Sequence, residues 1–187
     1  MLSKLKEYKF DYYDVEKSNN PDNYFKAVHR YKFHVGENNH YLVTVEEYEH
    51  HVFVLKFCLE NHQDNNDKFN VLINIGATQA RKAILTCIHI AMSIYENNPL
   101  ASFGFIASPT PDELGTTGFN TTKRLLVYKS FVECFFYPEN FAHSYSEEKS
   151  SYLLLNKNYE RQEPDAIQKI TAMLQLDLLS AVSNTSH

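Results

Sequence analysis

A helix-length segment between two strand-like segments is the sequence feature that most limits how this chain can fold. From Ala80 to Tyr95 the apolar residues recur every three or four positions, which is the period of an amphipathic helix, and Thr78 is placed to cap it. Apolar runs over 70–76 and 101–108 flank this helix and are typical of strands. Two strands joined by a helix form a parallel crossover, so we predict one β-α-β unit in the middle of the chain.

The segments before this unit predict antiparallel strands. Apolar residues alternate over 24–35 and over 40–47, with a turn containing Gly36 between them, and this is the pattern of a hairpin. The nearly continuous apolar run over 52–59 predicts a third strand that is covered on both faces.

The segments after the unit predict helices and closing strands. We expect a second helix over about 121–136, closing strands near 141–145 and 150–159, and a last helix that begins at Pro164. The predicted fold class is therefore α+β, a mixed and mostly antiparallel sheet with a central β-α-β crossover and a C-terminal helix. A ligand site is expected beyond the carboxyl ends of the crossover strands.

Length and composition limit the class of protein. With 187 residues, 43% of them hydrophobic and 22% charged, the chain has the make-up of one ordinary globular domain, and it contains no apolar run of spanning length. We divide it into a lead-in over 1–23, an α+β domain over 24–160, and a C-terminal amphipathic helix with its tail over 161–187.

The net charge and the terminal segment set expectations about partners and location. A net charge of −5 disfavours nucleic acid as a partner, and the N-terminus has no apolar signal segment, so we expect a cytoplasmic protein with no membrane contact. Cys58, Cys87 and Cys134 each lie in an apolar run, which predicts buried, reduced thiols. The last helix has apolar residues on more than one stripe, so it covers either a wide groove on its own domain or a second subunit in a homo-oligomer.

Two segments carry a family resemblance, VLINIGATQARKAIL over 71–85 and NTTKRLLVYKSF over 120–131. The order of predicted elements over 24–159 resembles the fold of the GCN5-related N-acetyltransferases, and these two segments sharpen the resemblance. The segments are also similar to small uncharacterised bacterial and phage-encoded proteins. The resemblance implies an acyl-CoA N-acyltransferase-like fold. It also implies that backbone amides at the start of the first long helix bind the pyrophosphate of coenzyme A. The positions that would do so are Gly76, Ala77, Thr78, Gln79 and Arg81.

The resemblance also assigns a catalytic residue. The resemblance implies that Tyr128 serves as the general acid, as the tyrosine at this position does in the family. Its place on an apolar stripe favours a core tyrosine over this role. The general base for an amine substrate would come from a group near the middle strands, none of which the sequence singles out: Glu46, Glu47, His50 and His51.

The loop over 107–120 and the start of the second helix form a candidate ligand loop with Asn120, Lys123 and Arg124. Two cations in a first helical turn oppose the helix dipole, so we expect Asp112, Glu113 or a ligand phosphate to offset them. Five of the nine histidines fall in the predicted N-terminal sheet: His29, His34, His40, His50 and His51. The sequence has no zinc-binding spacing such as HExxH and no CxxC pair, so we predict no metal site and expect solvated or turn histidines.

The chain departs from the family where coenzyme A would bind. Gly76 is the only glycine of the turn, and Lys82 and Ile84 stand where glycines are expected. The favoured interpretation is therefore a non-catalytic interaction or regulatory module that has no cofactor and acts on an unknown protein partner. The alternative is a divergent N-acyltransferase that uses acyl-coenzyme A.

Overall fold

A seven-stranded sheet with helices on both faces forms the fold. The computed structural model describes residues 5–19, 23–36, 39–65, 68, 76–107, 113, 122–147 and 149–184, with side chains as far as residue 175. The strands are β1 Phe10–Lys17, β2 Phe25–Val35, β3 Asn39–Tyr48, β4 Val52–Leu59, β5 Ser102–Ile106, β6 Phe141–Ser146 and β7 Ser151–Asn156. The α-helices are α1 Ala77–Asn97, α2 Lys123–Phe135, α3 Lys157–Gln162 and α4 Ala166–Asn184.

The strand order confirms the α+β class with a mostly antiparallel sheet. The order is β1-β2-β3-β4-β5-β7-β6, and the neighbours pair antiparallel except for β4 and β5, which are parallel. The crossover through α1 therefore starts from β4, because β5 pairs with β4 and β7. The strand predicted over 70–76 lies outside the described residues.

The two faces of the sheet have separate apolar cores. On one face, α1 and α2 pack on the inward residues of β2 to β5, and Ile90 and Leu125 are almost completely buried there. On the other face, α3 and α4 pack on β4 and β7, with Ile170 and Tyr159 buried against Leu155. A helix on each face explains why β4 is apolar at nearly every position, as a strand covered on both sides must be.

The observed elements differ from the predicted ones at three points. The lead-in contains β1, whose residues Phe10–Lys17 pair along β2, and most of whose side chains are exposed. The closing strand stops at Asn156, because the side chain of this residue accepts a hydrogen bond from the Asn158 N–H and begins α3. The last helix begins at Ala166, two residues after the predicted start at Pro164. His50 and His51 lie in the turn between β3 and β4, where both have positive φ, of 61° and 56°.

The cysteines only partly follow the prediction of buried thiols. All three are free, and Cys87 is buried on α1, where burial raises the pKa of its thiol to about 12. Cys58 is half-buried, and Cys134 is exposed because it lies on the solvent side of α2. The prediction was therefore wrong for Cys134.

In the described part of the chain, no helix is long and apolar enough to cross a membrane. The first half of α4 packs on its own domain through Ala166, Ile170 and Leu174. The side chains from residue 176 onward are outside the description, so a second subunit on this helix stays a prediction.

Asn156 connects three segments and offers a test of the fold. Its buried Nδ2 donates to the carbonyl oxygens of Pro99 and Ala101, at 2.8 and 3.1 Å, beside its capping bond to α3. We expect Asn156→Ala to lower the free energy of unfolding by about 2–4 kcal/mol, because two carbonyls lose their donor. Urea unfolding would measure it. Asn97→Ala removes an exposed amide that donates to the Ser93 carbonyl, and this control should change stability by less than about 0.5 kcal/mol.

Tyrosine burial predicts a loss of stability at alkaline pH. Burial raises the pKa of Tyr31, Tyr41, Tyr128 and Tyr152 from 10.0 to about 12. The folded state therefore holds these protons more tightly than the unfolded state, and the resulting stability is complete below pH 10 and is lost between about pH 10 and 12. Thermal unfolding measured at stepped pH should show this decline, and Tyr128→Phe should make it shallower. A decline that is complete below pH 9 would contradict the assignment.

Candidate functional site

The site begins where β4 and β5 stop pairing. Their parallel register covers Val52, Phe53 and Val54 against Ser102, Phe103 and Gly104. Beyond this point β4 continues to Leu59 and β5 continues to Ile106, where it pairs with β7 alone. A gap therefore opens between the two strands toward their carboxyl ends, where a ligand site is expected in sheets of this kind.

On the face of α1 and α2, a cavity of about 260 Å³ lies at this gap. Strand residues from both sides of the gap form its floor, including Val54, Phe57, Phe103 and Phe105. Its walls are side chains from the two helices: Ile84, Cys87 and Ile88 from α1, and Arg124, Tyr128 and Val132 from α2. Such a lining, mostly apolar with a few polar groups, is typical of small-molecule sites.

Tyr128 lies across this cavity. Its ring centroid is 6.2 Å from that of Phe57 at the end of β4 and 5.4 Å from that of Phe105 on β5, so the ring bridges the strands on either side of the gap. The ring is partly exposed, and among the described residues no hydrogen-bond partner of its hydroxyl is found. Burial raises the pKa of Tyr128 to about 12, against an opposing effect of Arg124, and the hydroxyl therefore keeps its proton at neutral pH.

A second cavity, of about 280 Å³, lies on the opposite face of the sheet. It shares with the first the residues that border the gap, among them Val54, Gly104 and Ile106. Its outer wall comes from α4 through Thr171, Leu174 and Gln175. The two cavities therefore approach each other from opposite faces at the point where β4 and β5 part.

Gly104 borders this opening because it has no side chain. A Cβ added there would lie 3.4 Å from Val54 Cγ2, which is ordinary contact, so the glycine is not required by the packing of the strand. A side chain there would lie on the same face as its register partner Val54, so its absence leaves space to the second cavity.

Glu46 is the base candidate that the fold brings to the site. On β3 its carboxylate accepts hydrogen bonds from Tyr48 Oη at 2.9 Å and from Lys56 Nζ at 2.6 Å, and both partners line the second cavity. The carboxylate is therefore mostly shielded from solvent and already carries an ion pair.

The other three base candidates lie elsewhere. Glu47, one residue on, points to the opposite face and binds His29 Nε2 at 3.0 Å. His50 contacts the hydroxyl of Tyr159, and His51 contacts the side chain of Asn98. The sequence could not choose among the four, because only the register of β3 decides which side chains share a face with the cavity.

The predicted phosphate-binding residues form the exposed start of α1. The helix begins one residue after Gly76, so Gly76 and not Thr78 is the N-cap, and its φ of 80° with ψ of 154° suits glycine alone. The residues from Gly76 to Arg81 are exposed, and the first turn has no acidic residue and no side-chain cap. Backbone N–H groups at this helix end are therefore available to an anion.

Lys82 and Ile84, which stand where the resemblance predicts glycines, point in different directions. Lys82 Nζ lies 4.1 Å from the ring centroid of Tyr8, in a cation–π contact that directs it toward the N-terminal segment. Ile84 lines the first cavity. Ile84 therefore takes space in this cavity, whereas Lys82 is directed toward Tyr8.

The start of α2 contains the predicted anionic partner. Glu113 is buried, and its Oε1 accepts a hydrogen bond from the backbone N–H of Lys123 at 2.7 Å. Glu113 is one of the anionic groups that we expected near the two cations of this turn. Thr122 caps the helix through the Leu125 N–H. Arg124 lines the first cavity, whereas Asn120 and Asp112 lie outside the described residues.

Among the residues that the structure describes, no group of three or more His, Cys, Asp or Glu side chains is arranged to hold a metal ion. Comparison of the chain with protein-family models, with curated proteins and with solved structures gives no match.

Proposed function

We propose that this protein transfers an acyl group from a coenzyme A thioester to an amine. The observation that carries this proposal is the meeting of two cavities from opposite faces at the gap between β4 and β5, with Tyr128 beside one and Glu46 beside the other. Two substrates that enter from opposite sides can meet there without sharing a pocket. The resemblance to the acyltransferase family supports the same function.

On the face of α1 and α2, coenzyme A would bind along its whole length. The N–H groups that follow Gly76 and the guanidinium of Arg81 would bind the pyrophosphate, because a helix start without acidic residues favours anions. The cavity between α1 and α2 would enclose the pantetheine arm. Beyond Val54, the edge of β4 that faces β5 has no strand partner among the described residues, and its backbone groups can bond to the amides of this arm.

The chemistry needs one acid and one base. Bound acyl-coenzyme A would supply a thioester. An amine would attack the carbonyl carbon of this thioester, so that a C–N bond forms as the C–S bond breaks. The Tyr128 hydroxyl, which retains its proton at neutral pH, can donate that proton to the departing sulfur. Glu46, on the amine side of the sheet, can accept the proton that the attacking nitrogen loses.

A non-catalytic interaction module is the second candidate function. It is favoured by the single glycine of the turn and by Ile84, whose side chain takes space in the groove. Leu126 and Val127 on the outer face of α2 are exposed apolar side chains that a protein partner would cover. In this version Tyr128 is a core residue that contacts Phe57 and Phe105.

Binding of coenzyme A separates the two candidates. We expect calorimetry to give a micromolar dissociation constant for coenzyme A, and Arg81→Ala to weaken it by about tenfold through the loss of one charge-assisted contact. Arg161→Ala, which removes an exposed arginine of α3, should leave the affinity unchanged. The absence of binding at millimolar coenzyme A would rule out the acyltransferase and leave the interaction module.

Substitution of Tyr128 tests the acid. With acetyl-coenzyme A and a panel of primary amines, Tyr128→Phe should lower kcat by about 100-fold and leave KM for the donor nearly unchanged, because the ring contacts remain and only the proton is lost. Release of free thiol measures the rate. Unchanged kcat in a folded variant would remove Tyr128 from the mechanism.

A further inference from the structure

The second cavity is an open cleft between the sheet and α4. On its floor Ile106 is 47% exposed and Ser144 is also exposed. On its outer wall, Thr171 and Gln175 are exposed as well. Side chains with this exposure face solvent, so the volume of about 280 Å³ is open to a ligand.

One row of paired residues crosses the floor of this cavity. The register places Val54 beside Gly104, Gly104 beside Leu153, and Leu153 beside Ser144. Glu46 pairs with Val54 at the other end of the row, and residues that pair directly opposite each other point to the same face of a sheet. The row therefore runs from the proposed base to a serine on the edge strand β6. Ser144 is two strand spacings, about 10 Å, from Gly104.

The part of the cavity beyond Gly104 has uncharged polar groups on two sides. Ser144 and Ser151 are on the floor, and Thr171 and Gln175, one helical turn apart on α4, are on the outer wall. Among the residues that the structure describes, these four side chains have no hydrogen-bond partner. Hydroxyl and amide groups both donate and accept hydrogen bonds, so they match ligand groups that also do both, such as hydroxyls.

Apolar side chains lie among these polar groups. Ile106 and Leu153 are on the floor, and Leu174 is on the outer wall. The lining therefore combines apolar carbon with hydroxyl groups, as a sugar does, whose ring carbons have C–H bonds beside their hydroxyls. A plain alkylamine, such as a lysine side chain, would displace water from the polar groups and return no hydrogen bond to them, which costs affinity.

We propose that the second cavity binds an amine with several hydroxyl groups, of which an amino sugar is the simplest, as the acceptor of the acyl group. This inference rests on the proposed function and adds the class of the acceptor. The amine would lie toward Glu46, and the hydroxyls would bind Ser144, Ser151 and the outer wall. Lys149 also lines the cavity and is exposed, and its charge disfavours an acceptor with a second amine.

The test compares D-glucosamine with cyclohexylamine. Both have a six-membered ring and one amine, but only D-glucosamine has hydroxyls. Binding of each amine to the full chain is measured by nuclear magnetic resonance titration without coenzyme A. A hydrogen bond between neutral groups strengthens binding by about two- to tenfold. With several such bonds, we expect D-glucosamine to bind at least about tenfold more tightly than cyclohexylamine.

Transfer of the acetyl group is measured next, with acetyl-coenzyme A and each amine, by release of free thiol. We expect a larger kcat/KM for D-glucosamine than for cyclohexylamine. Transfer to cyclohexylamine with an equal or larger kcat/KM would overturn this inference and leave the proposed function intact. The expected binding preference without transfer to either amine would contradict the proposed function and keep the hydroxyl-binding cavity. Equal affinity for the two amines, or no binding of D-glucosamine, would overturn the inference whatever the transfer result.

Two variants place the hydroxyls of the ligand. Ser144→Ala combined with Ser151→Ala removes the floor hydroxyls, and Thr171→Val removes a hydroxyl of the outer wall with little change of shape. Each variant should lower the ratio of D-glucosamine to cyclohexylamine affinity at least about threefold, because only D-glucosamine bonds to these groups. Ser130→Ala is the control, because this exposed serine of α2 donates to the Val127 carbonyl and lies outside the cavity lining, and it should leave the ratio unchanged. An unchanged ratio in both folded variants would contradict the placement.

Discussion

The parallel pairing of β4 with β5 ends after three residue pairs, and the rest of the site depends on that end. If β4 and β5 continued to pair, the sheet would have a closed surface at this point, with no cavity on either face. Because β5 stays with β7 and β4 stays with β3, the described residues show no pairing between β4 and β5 beyond Val54 and Gly104. Backbone groups that border such a gap need partners, which solvent or a ligand can supply.

Aromatic side chains keep the two strand ends at a fixed separation. Tyr128 contacts Phe57 on one strand and Phe105 on the other, and Phe105 in turn stacks on Tyr152 of β7 with centroids 5.1 Å apart. Tyr128 therefore stabilises the packing of the two strands, whether or not it also acts as the acid. The same contacts hold its ring in the lining of the cavity, so stability and the proposed acid role depend on different atoms of one side chain.

The sequence was sufficient for features with a local cause. The periodicity of α1 is strong because one side of a long helix is buried, and the two cations at the start of α2 indicated an anionic partner that proved to be Glu113. One parallel strand pair was also expected, but it joins β5 to β4, whereas the strand predicted over 70–76 stays untested. Tyr128 was found because its neighbourhood resembles a family motif.

Features that depend on register or on distant contacts could not be predicted. The strand β1 has mainly exposed side chains, many of them charged, and so gives no apolar alternation to detect. Glu46 and Glu47 are equivalent in sequence, and only the pairing of β3 separates them. The cavities are formed by the separation of two strands, which no single segment encodes.

The position of α4 in the chain also bears on when the site is complete. Residues 171–175 form the outer wall of the second cavity, and they come after every strand of the sheet. During synthesis the sheet and the cavity between α1 and α2 can form while this helix is still inside the ribosome, since domains fold as their segments emerge. The second cavity therefore acquires its outer wall only after the strands and the first cavity have been synthesised, and a chain that stopped before α4 would have one side of the site without the other.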